Sequence, residues 1–174
     1  MSTKSIFLDR DGVINHEIGY LYKPKDFVFI DGVFEASRHF IDLGYKIIII
    51  TNQSGISRGY YQEKDFHKLT RWMLDQFKIN SIVIHDVFFC PHGPNDDCVC
   101  RKPKPGMILD AAKKHNINLK DSWLIGDKEV DIEAANNAGI CNTIIVKSGH
   151  SIDELNTNAK YVCSSIKDSI RRIT

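Results

Sequence analysis

The chain lacks the two glycine-rich loops that most often mark a nucleotide site. It has no Gly-x-Gly-x-x-Gly and no Walker A pattern, which argues against a dinucleotide cofactor. It also lacks any large net charge, at +1, so no global field recruits nucleic acid or an acidic membrane surface. Any phosphate recognition must be local. Long hydrophobic runs are missing: Ile47-Ile48-Ile49-Ile50 is far too short to span a bilayer. No apolar leader precedes the first acidic cluster at residue 9, so a cytoplasmic location is the expectation. An even cysteine count is lacking too. Five cysteines and no export signal argue against a disulfide framework. Internal repeats, low-complexity stretches and linkers are absent, and 174 residues suit one domain, residues 1–174, expected as a monomer.

What is present is an alternation of short apolar runs and helical periods. Ser5 to Leu8 reads as a strand apolar on both faces, as in a buried parallel sheet. Val13 to Lys25 has no sustained period and reads as a loop or small flap over the end of that strand. Asp26 to Ile30 reads as a short strand. Val33, Ala36, Phe40 and Leu43 have helical spacing, with Gly44 positioned to end the helix. Further strands are expected at Tyr45–Ile50, Ser81–Phe89, Ser122–Ile125 and Cys141–Val146, with a possible strand at Tyr161-Val162. Helices are expected over about 62–77, after Pro105, and over 131–138. Strands alternating with helices at crossover spacing imply an α/β fold, a doubly wound and mostly parallel sheet with helices on both faces.

Polar residues fall where these strands end. The first strand runs into Asp9-Arg10-Asp11-Gly12, the second into Thr51-Asn52-Gln53-Ser54, the fourth into Gly126-Asp127-Lys128 with Asp131 one turn on. Taken alone, Asp-x-Asp-Gly is an ordinary turn. In a parallel sheet, however, these exits share one edge, where ligands of open α/β sheets bind. The residue types suit phosphoryl transfer. Asp9 and Asp127 offer hard oxygen ligands for Mg²⁺. A carboxylate can attack phosphorus, and a second carboxylic acid two residues on can move the protons. Thr51 can donate to a phosphoryl oxygen, and Lys102 can offset charge developing there. Asp131 is expected to be a first-turn helix acid that orients Asp127 or Lys128.

The remaining signal is a loop. Cys90, His92, Cys98 and Cys100 place three thiolates and one imidazole within eleven residues. That is a Cys₃His set with no open position, as in structural Zn²⁺ sites. A bound zinc would fold an otherwise coreless loop and hold Arg101-Lys102 toward the strand ends.

At these residues the chain resembles the haloacid dehalogenase (HAD) superfamily, through Asp9-Arg10-Asp11-Gly12, Thr51, Lys102 and Gly126-Asp127 with Asp131. The resemblance implies a HAD-like fold with a minimal cap, Asp9 as nucleophile and Asp11 as acid/base. It also implies Mg²⁺ held by Asp9, the Asp11 carbonyl and Asp127. The run Thr51 to Ile56 with Arg58-Gly59, the Cys-x-His loop, and Arg101-Lys102-Pro103 with Pro105-Gly106-Met107 resemble the heptose-bisphosphate phosphatases within that superfamily. That likeness implies removal of the 7-phosphate of D-glycero-D-manno-heptose 1,7-bisphosphate, a small sugar phosphate used for ADP- or GDP-heptose synthesis. By position it assigns Thr51 and Lys102 to phosphoryl stabilisation and Arg101 to substrate recognition. Glu17, Ile18, Gly19, Tyr20, Asn52, Gln53, Ser54 and Lys128 are assigned to the substrate pocket. Cys90, His92, Cys98 and Cys100 are assigned to zinc. The five-residue gap between His92 and Cys98 is similar to that of histidinol-phosphate phosphatase domains, which is the alternative substrate. A non-catalytic, zinc-stabilised binding domain is the alternative from another class.

Overall fold

The computed structural model describes residues 3–174. Six strands, β1 Ser5–Leu8, β2 Lys46–Asn52, β3 Ile84–Cys90, β4 Trp123–Gly126, β5 Asn142–Val146 and β6 Tyr161–Cys163, form one sheet in the order β3-β2-β1-β4-β5-β6. All five ladders are parallel, so the sheet is fully rather than mostly parallel. The helices are α1 Val33–Asp42, α2 Glu63–Ile79, α3 Gly106–His115, α4 Glu129–Ala138 and the short α5 Ile166–Ser169. Among the described residues, no helix is long and apolar enough to cross a membrane.

The period of two along the strands divides the core. Ile6, Leu8, Ile47, Ile49, Trp123 and Ile125 face one side, where they pack with α1, α2 and α5. Phe7, Ile48, Ile50, Leu124 and Ile145 face the other, against Met107, Ile108 and Ala111 of α3 and Ile132, Ala134 and Ala135 of α4. This double burial is why the strands read as apolar on every residue. β1 lies between β2 and β4, so the chain moves outward to β3 and then returns to the other side of β1. That reversal is the topological switch at which such sheets bind ligands.

Several boundaries differ from the sequence reading, each for a local reason. Asp26–Ile30 is not a strand of the sheet. A 3₁₀ turn covers Pro24–Asp26, and Phe29 makes one antiparallel bridge to Asn15. The Val28 and Ile14 carbonyls accept from His16 and Ile30. The segment is thus the return leg of the flap, anchored by Phe27 and Phe29 against Trp72. β3 starts at Ile84 because Ser81 takes a positive φ of 60° just after α2. β2 continues to Asn52, which places Thr51 and Asn52 within the sheet edge. α4 starts at Glu129, two residues early, because the Asp131 carboxylate accepts the Lys128 N–H and caps the first turn.

Candidate active site

Asp9 leaves β1 nearly buried, with 8 % exposure. Its Oδ1 accepts the Arg10 backbone N–H at 2.8 Å and meets the Lys102 ammonium at 3.0 Å. Lys102 comes from the loop before α3 and is itself buried. Its Nζ also reaches Asp131 at 2.6 Å and donates to the Ile50 carbonyl at 3.1 Å, so all three ammonium donors are engaged. The Lys102 backbone is clamped on both sides by the Asn52 side chain, which accepts its N–H and donates to its carbonyl. Burial disfavours the Lys102 charge, but Asp131 and then Asp9 override it and hold its pKa above the ordinary lysine value. Burial, followed by the Asp131 charge, pushes Asp9 up to about 6 against the opposing pull of Lys102. Asp131, expected only to orient its neighbours, accepts the N–H groups of Asp127 and Lys128. It also grips the lysine.

Asp127 leaves β4 completely buried. Its Oδ2 lies 2.6 Å from His150 Nδ1 and accepts the His150 backbone N–H at 3.1 Å. Its Oδ1 is buried with no hydrogen-bond partner. Burial, then the Asp9 and Asp131 charges, pushes Asp127 up to about 9. Asp9, Asp127 and Asp131 each bring an oxygen within 4.8 Å of the others, and the Lys102 ammonium pairs with Asp9 and Asp131. Among the described residues the Asp11 carbonyl accepts no backbone hydrogen bond. Buried carboxylates in excess of buried cations, one with an orphaned oxygen, form a donor set that fits a hard divalent cation.

Asp11 is held differently. Arg10, 1 % exposed, forks onto both its oxygens at 2.9 and 3.0 Å. Asn15 donates to Oδ1 and Gln53 to Oδ2. Burial alone would raise its pKa, yet the Arg10 charge and these donors take it below the ordinary carboxylate value. Gln53 also donates to Thr51 Oγ1 at 2.8 Å, while Tyr61 donates to Gln53 Oε1 at 2.5 Å. Tyr61 therefore fixes which way the Gln53 amide points. Thr51 is fully buried behind Gln53.

The cysteine loop closes on itself. His92 Nδ1 lies 3.4 Å from Cys90 Sγ and 3.3 Å from Cys100 Sγ, and Cys90 Sγ lies 3.0 Å from Cys100 and 3.9 Å from Cys98. All four donors fall within 4.8 Å of one another. A tetrahedron with Zn–S bonds of about 2.3 Å has edges of about 3.8 Å, so the set fits zinc with small adjustments. Burial, then the Cys100 contact, pushes the Cys90 thiol up to about 12, so thiolates crowd here only with a cation to hold them. Arg101 Nη1 donates to the His92 carbonyl at 3.1 Å, which ties the basic pair to the loop.

Asp11, Gln53, Arg101 and Lys102 border a cleft of about 570 Å³. A recess of about 60 Å³ beside it is lined by Asp9, Asp11, Lys102 and Asp131. Glu17, Gly19, Tyr20, Asn52, Gln53, Ser54, Arg101 and Lys128 all line the cleft. Ile18 does not, and is 57 % exposed. The Glu17 carboxylate folds back onto the Gly19 N–H, and Gly19 and Tyr20 turn with positive φ, which leaves the Ile18 side chain in solvent. Arg10, Arg58, Tyr61 and His150 also line the cleft; Arg10 and Arg58 fall within the sequence motifs, but the sequence assigns none of the four a role in the site. His150 had a signal, since it follows the exit of β5 just as Asp127 follows β4. The inward fold of Arg10 had none, because burial of an arginine between two aspartates is a tertiary outcome.

The family described as HAD-hydrolase-like matches residues 99–169. A D-glycero-alpha-D-manno-heptose-1,7-bisphosphate 7-phosphatase of Photorhabdus laumondii is 48% identical over 163 residues, covering 90% of this chain and 89% of that protein. A D-glycero-beta-D-manno-heptose-1,7-bisphosphate 7-phosphatase of Helicobacter pylori is 48% identical over 146 residues, 83% of this chain and 84% of that protein. The crystal structure of D,D-heptose 1,7-bisphosphate phosphatase from B. bronchiseptica, complexed with magnesium and phosphate, superposes with a TM-score of 0.85 at 30% identity, covering 98% of each chain. With this fold, these strand-end carboxylates and relatives this similar along most of their length, the chain belongs to the D-glycero-D-manno-heptose-1,7-bisphosphate 7-phosphatase family of HAD-like hydrolases.

Proposed function

We propose that the protein is a Mg²⁺-dependent phosphatase that hydrolyses the 7-phosphate of D-glycero-D-manno-heptose 1,7-bisphosphate. The observation that carries this reading is the trio of Asp9, Asp127 and Lys102, buried together at the sheet switch point beside a cationic cleft. The names of relatives at 48% identity supply the substrate. Asp9, the Asp11 carbonyl and Asp127 would hold Mg²⁺, which when bound supplies charge neutralisation at the phosphoryl group.

The protein's own groups divide the remaining work. Both donors to Asp9 fall on Oδ1, which leaves Oδ2 to attack phosphorus and form an aspartyl phosphate. With its donors taken by Asp9, Asp131 and the Ile50 carbonyl, Lys102 acts on the phosphoryl group through its charge, while keeping the nucleophile ionised. Thr51 offers its hydroxyl proton from behind. Asp11 hands a proton to the departing sugar oxygen and later takes one from water. Its lowered pKa suits the second task directly; for the first, Asp11 must gain a proton once the anionic substrate sits beside Arg10. Arg101 and Lys128 line the cleft without an acidic partner among the described residues and are suited to the anionic sugar. Zn²⁺ on Cys90, His92, Cys98 and Cys100 would be structural, shaping the loop that carries Arg101 and Lys102.

Turnover of the heptose bisphosphate by wild type and Asp9→Asn tests this assignment. Loss of at least about 10³-fold in kcat is expected for a nucleophile, and retained hydrolysis would overturn it. Comparing kcat/KM on this substrate and on histidinol phosphate tests the substrate, since specificity is that ratio.

A further inference from the structure

The Asp127 carboxylate is immobilised through one oxygen only. His150 presents both its ring Nδ1, at 2.6 Å, and its backbone N–H, at 3.1 Å, to Oδ2. Two glycines complete the vice. A Cβ on Gly12 would lie 2.2 Å from Oδ2 and one on Gly149 would lie 2.0 Å from it, so only glycine backbone fits against this face of the carboxylate. The two strand exits meet at this point, and Ser148 adds a hydrogen bond to the Gly12 carbonyl at 2.7 Å. Oδ1 is left buried and unpartnered, within the cluster formed with Asp9 and Asp131. The imidazole is not held there by core packing, since the His150 side chain is 41 % exposed.

We propose that His150 is a positioning residue for the divalent cation, fixing the rotamer of Asp127 so that Oδ1 is the oxygen offered as ligand. The inference rests on the reading of Asp127 as a Mg²⁺ ligand. With Asp127 ionised, Nδ1 carries the proton and donates it to Oδ2. Partners of this kind orient a ligating group before the cation arrives, and their loss commonly weakens affinity about 10–100-fold.

Isothermal titration of Mg²⁺ into the protein as purified, after dialysis against EDTA at a concentration that spares tightly held zinc, reads the effect directly. Wild type, His150→Ala, His150→Asn and Asp127→Asn are compared. The expected result is a Mg²⁺ Kd raised about 10–100-fold in His150→Ala. Affinity should recover partly in His150→Asn, whose amide can reach Oδ2 from the Nδ1 position. At saturating Mg²⁺, kcat should return to within a few-fold of wild type. An unchanged Kd in both His150 variants overturns the inference, as does a kcat loss that saturating Mg²⁺ does not recover, because His150 would then act on substrate. Asp127→Asn separates the two levels. If it binds Mg²⁺ as wild type does, Asp127 is not a ligand and the underlying reading falls; if it loses binding while the His150 variants keep it, only the positioning role falls.

Discussion

Removing the Lys102 ammonium is the sharpest single perturbation of this architecture. It sits 2.6 Å from Asp131, 3.0 Å from Asp9 and 3.1 Å from the Ile50 carbonyl, at 4 % exposure. With an effective dielectric of about 20, the two ion contacts attract by roughly 6 kcal/mol each, much of it offset by the desolvation of three charges. Lys102→Met keeps the apolar stem but leaves two buried carboxylates facing each other. Breaking a buried pair in this way costs about 3–5 kcal/mol. For a chain of this length that lowers Tm by roughly 6–20 °C. Urea unfolding in EDTA, followed by the fluorescence of Trp72 and Trp123, measures it. Asp131→Asn in the Lys102→Met background should recover part of the loss, so the double-mutant cycle should show a coupling of about 1–3 kcal/mol. Hydrolysis should not recover, since Asp9 and the phosphoryl group still lack their cation. The destabilisation should also shrink below about pH 6, where Asp9 takes up a proton. A loss under 1 kcal/mol, or additive single and double mutants, would refute the argument that Lys102 neutralises this cluster.

Two further outcomes follow from the same geometry. Asp9 and Asp127 both hold their protons more tightly when folded, with pKa values of about 6 and about 9. Such groups favour the folded state fully below the unfolded carboxylate pKa, and that contribution is lost as pH rises through the folded values. The metal-free protein should therefore lose on the order of 2 kcal/mol between pH 4 and pH 7 from Asp9 alone. Added Mg²⁺ should raise Tm more at pH 8 than at pH 5; a pH-independent gain measured by calorimetry would contradict this. Elemental analysis of protein purified without added metal should find about one zinc per chain. Cys98→Ser should lower zinc content and kcat/KM together, because Arg101 is tied to the His92 carbonyl; full activity without zinc would sink the structural role.

The meeting of Asp9, Asp11, Thr51 and Asp127 at one place was legible in the sequence because strands buried on both faces have unmistakable apolar runs, and a parallel sheet delivers their exits to one edge; Lys102 reaches them from the loop before α3. The cysteine loop was legible because soft ligands rarely cluster within eleven residues by chance. The Asp26–Ile30 segment has the sequence of a strand but not its place in the sheet, since Phe27 and Phe29 look the same whether they pair with a sheet or pack on Trp72. Ile18 was carried into the pocket by its neighbours, yet two positive-φ residues turn it out.

The sequence by itself determined the doubly wound class and the sheet edge at which the strand-end polar residues gather, because the periods of strands and helices and their alternation along the chain are written in local pattern. Only the tertiary structure decided how charge is apportioned there. Lys102 bridges Asp9 to Asp131, Arg10 folds inward onto Asp11, and His150 reaches Asp127 from the turn after β5. Those pairings join residues far apart in the chain, with Arg10 and Asp11 the exception, and they depend on burial and rotamer. No spacing encodes either one, and both appear only when the sheet brings the exits together.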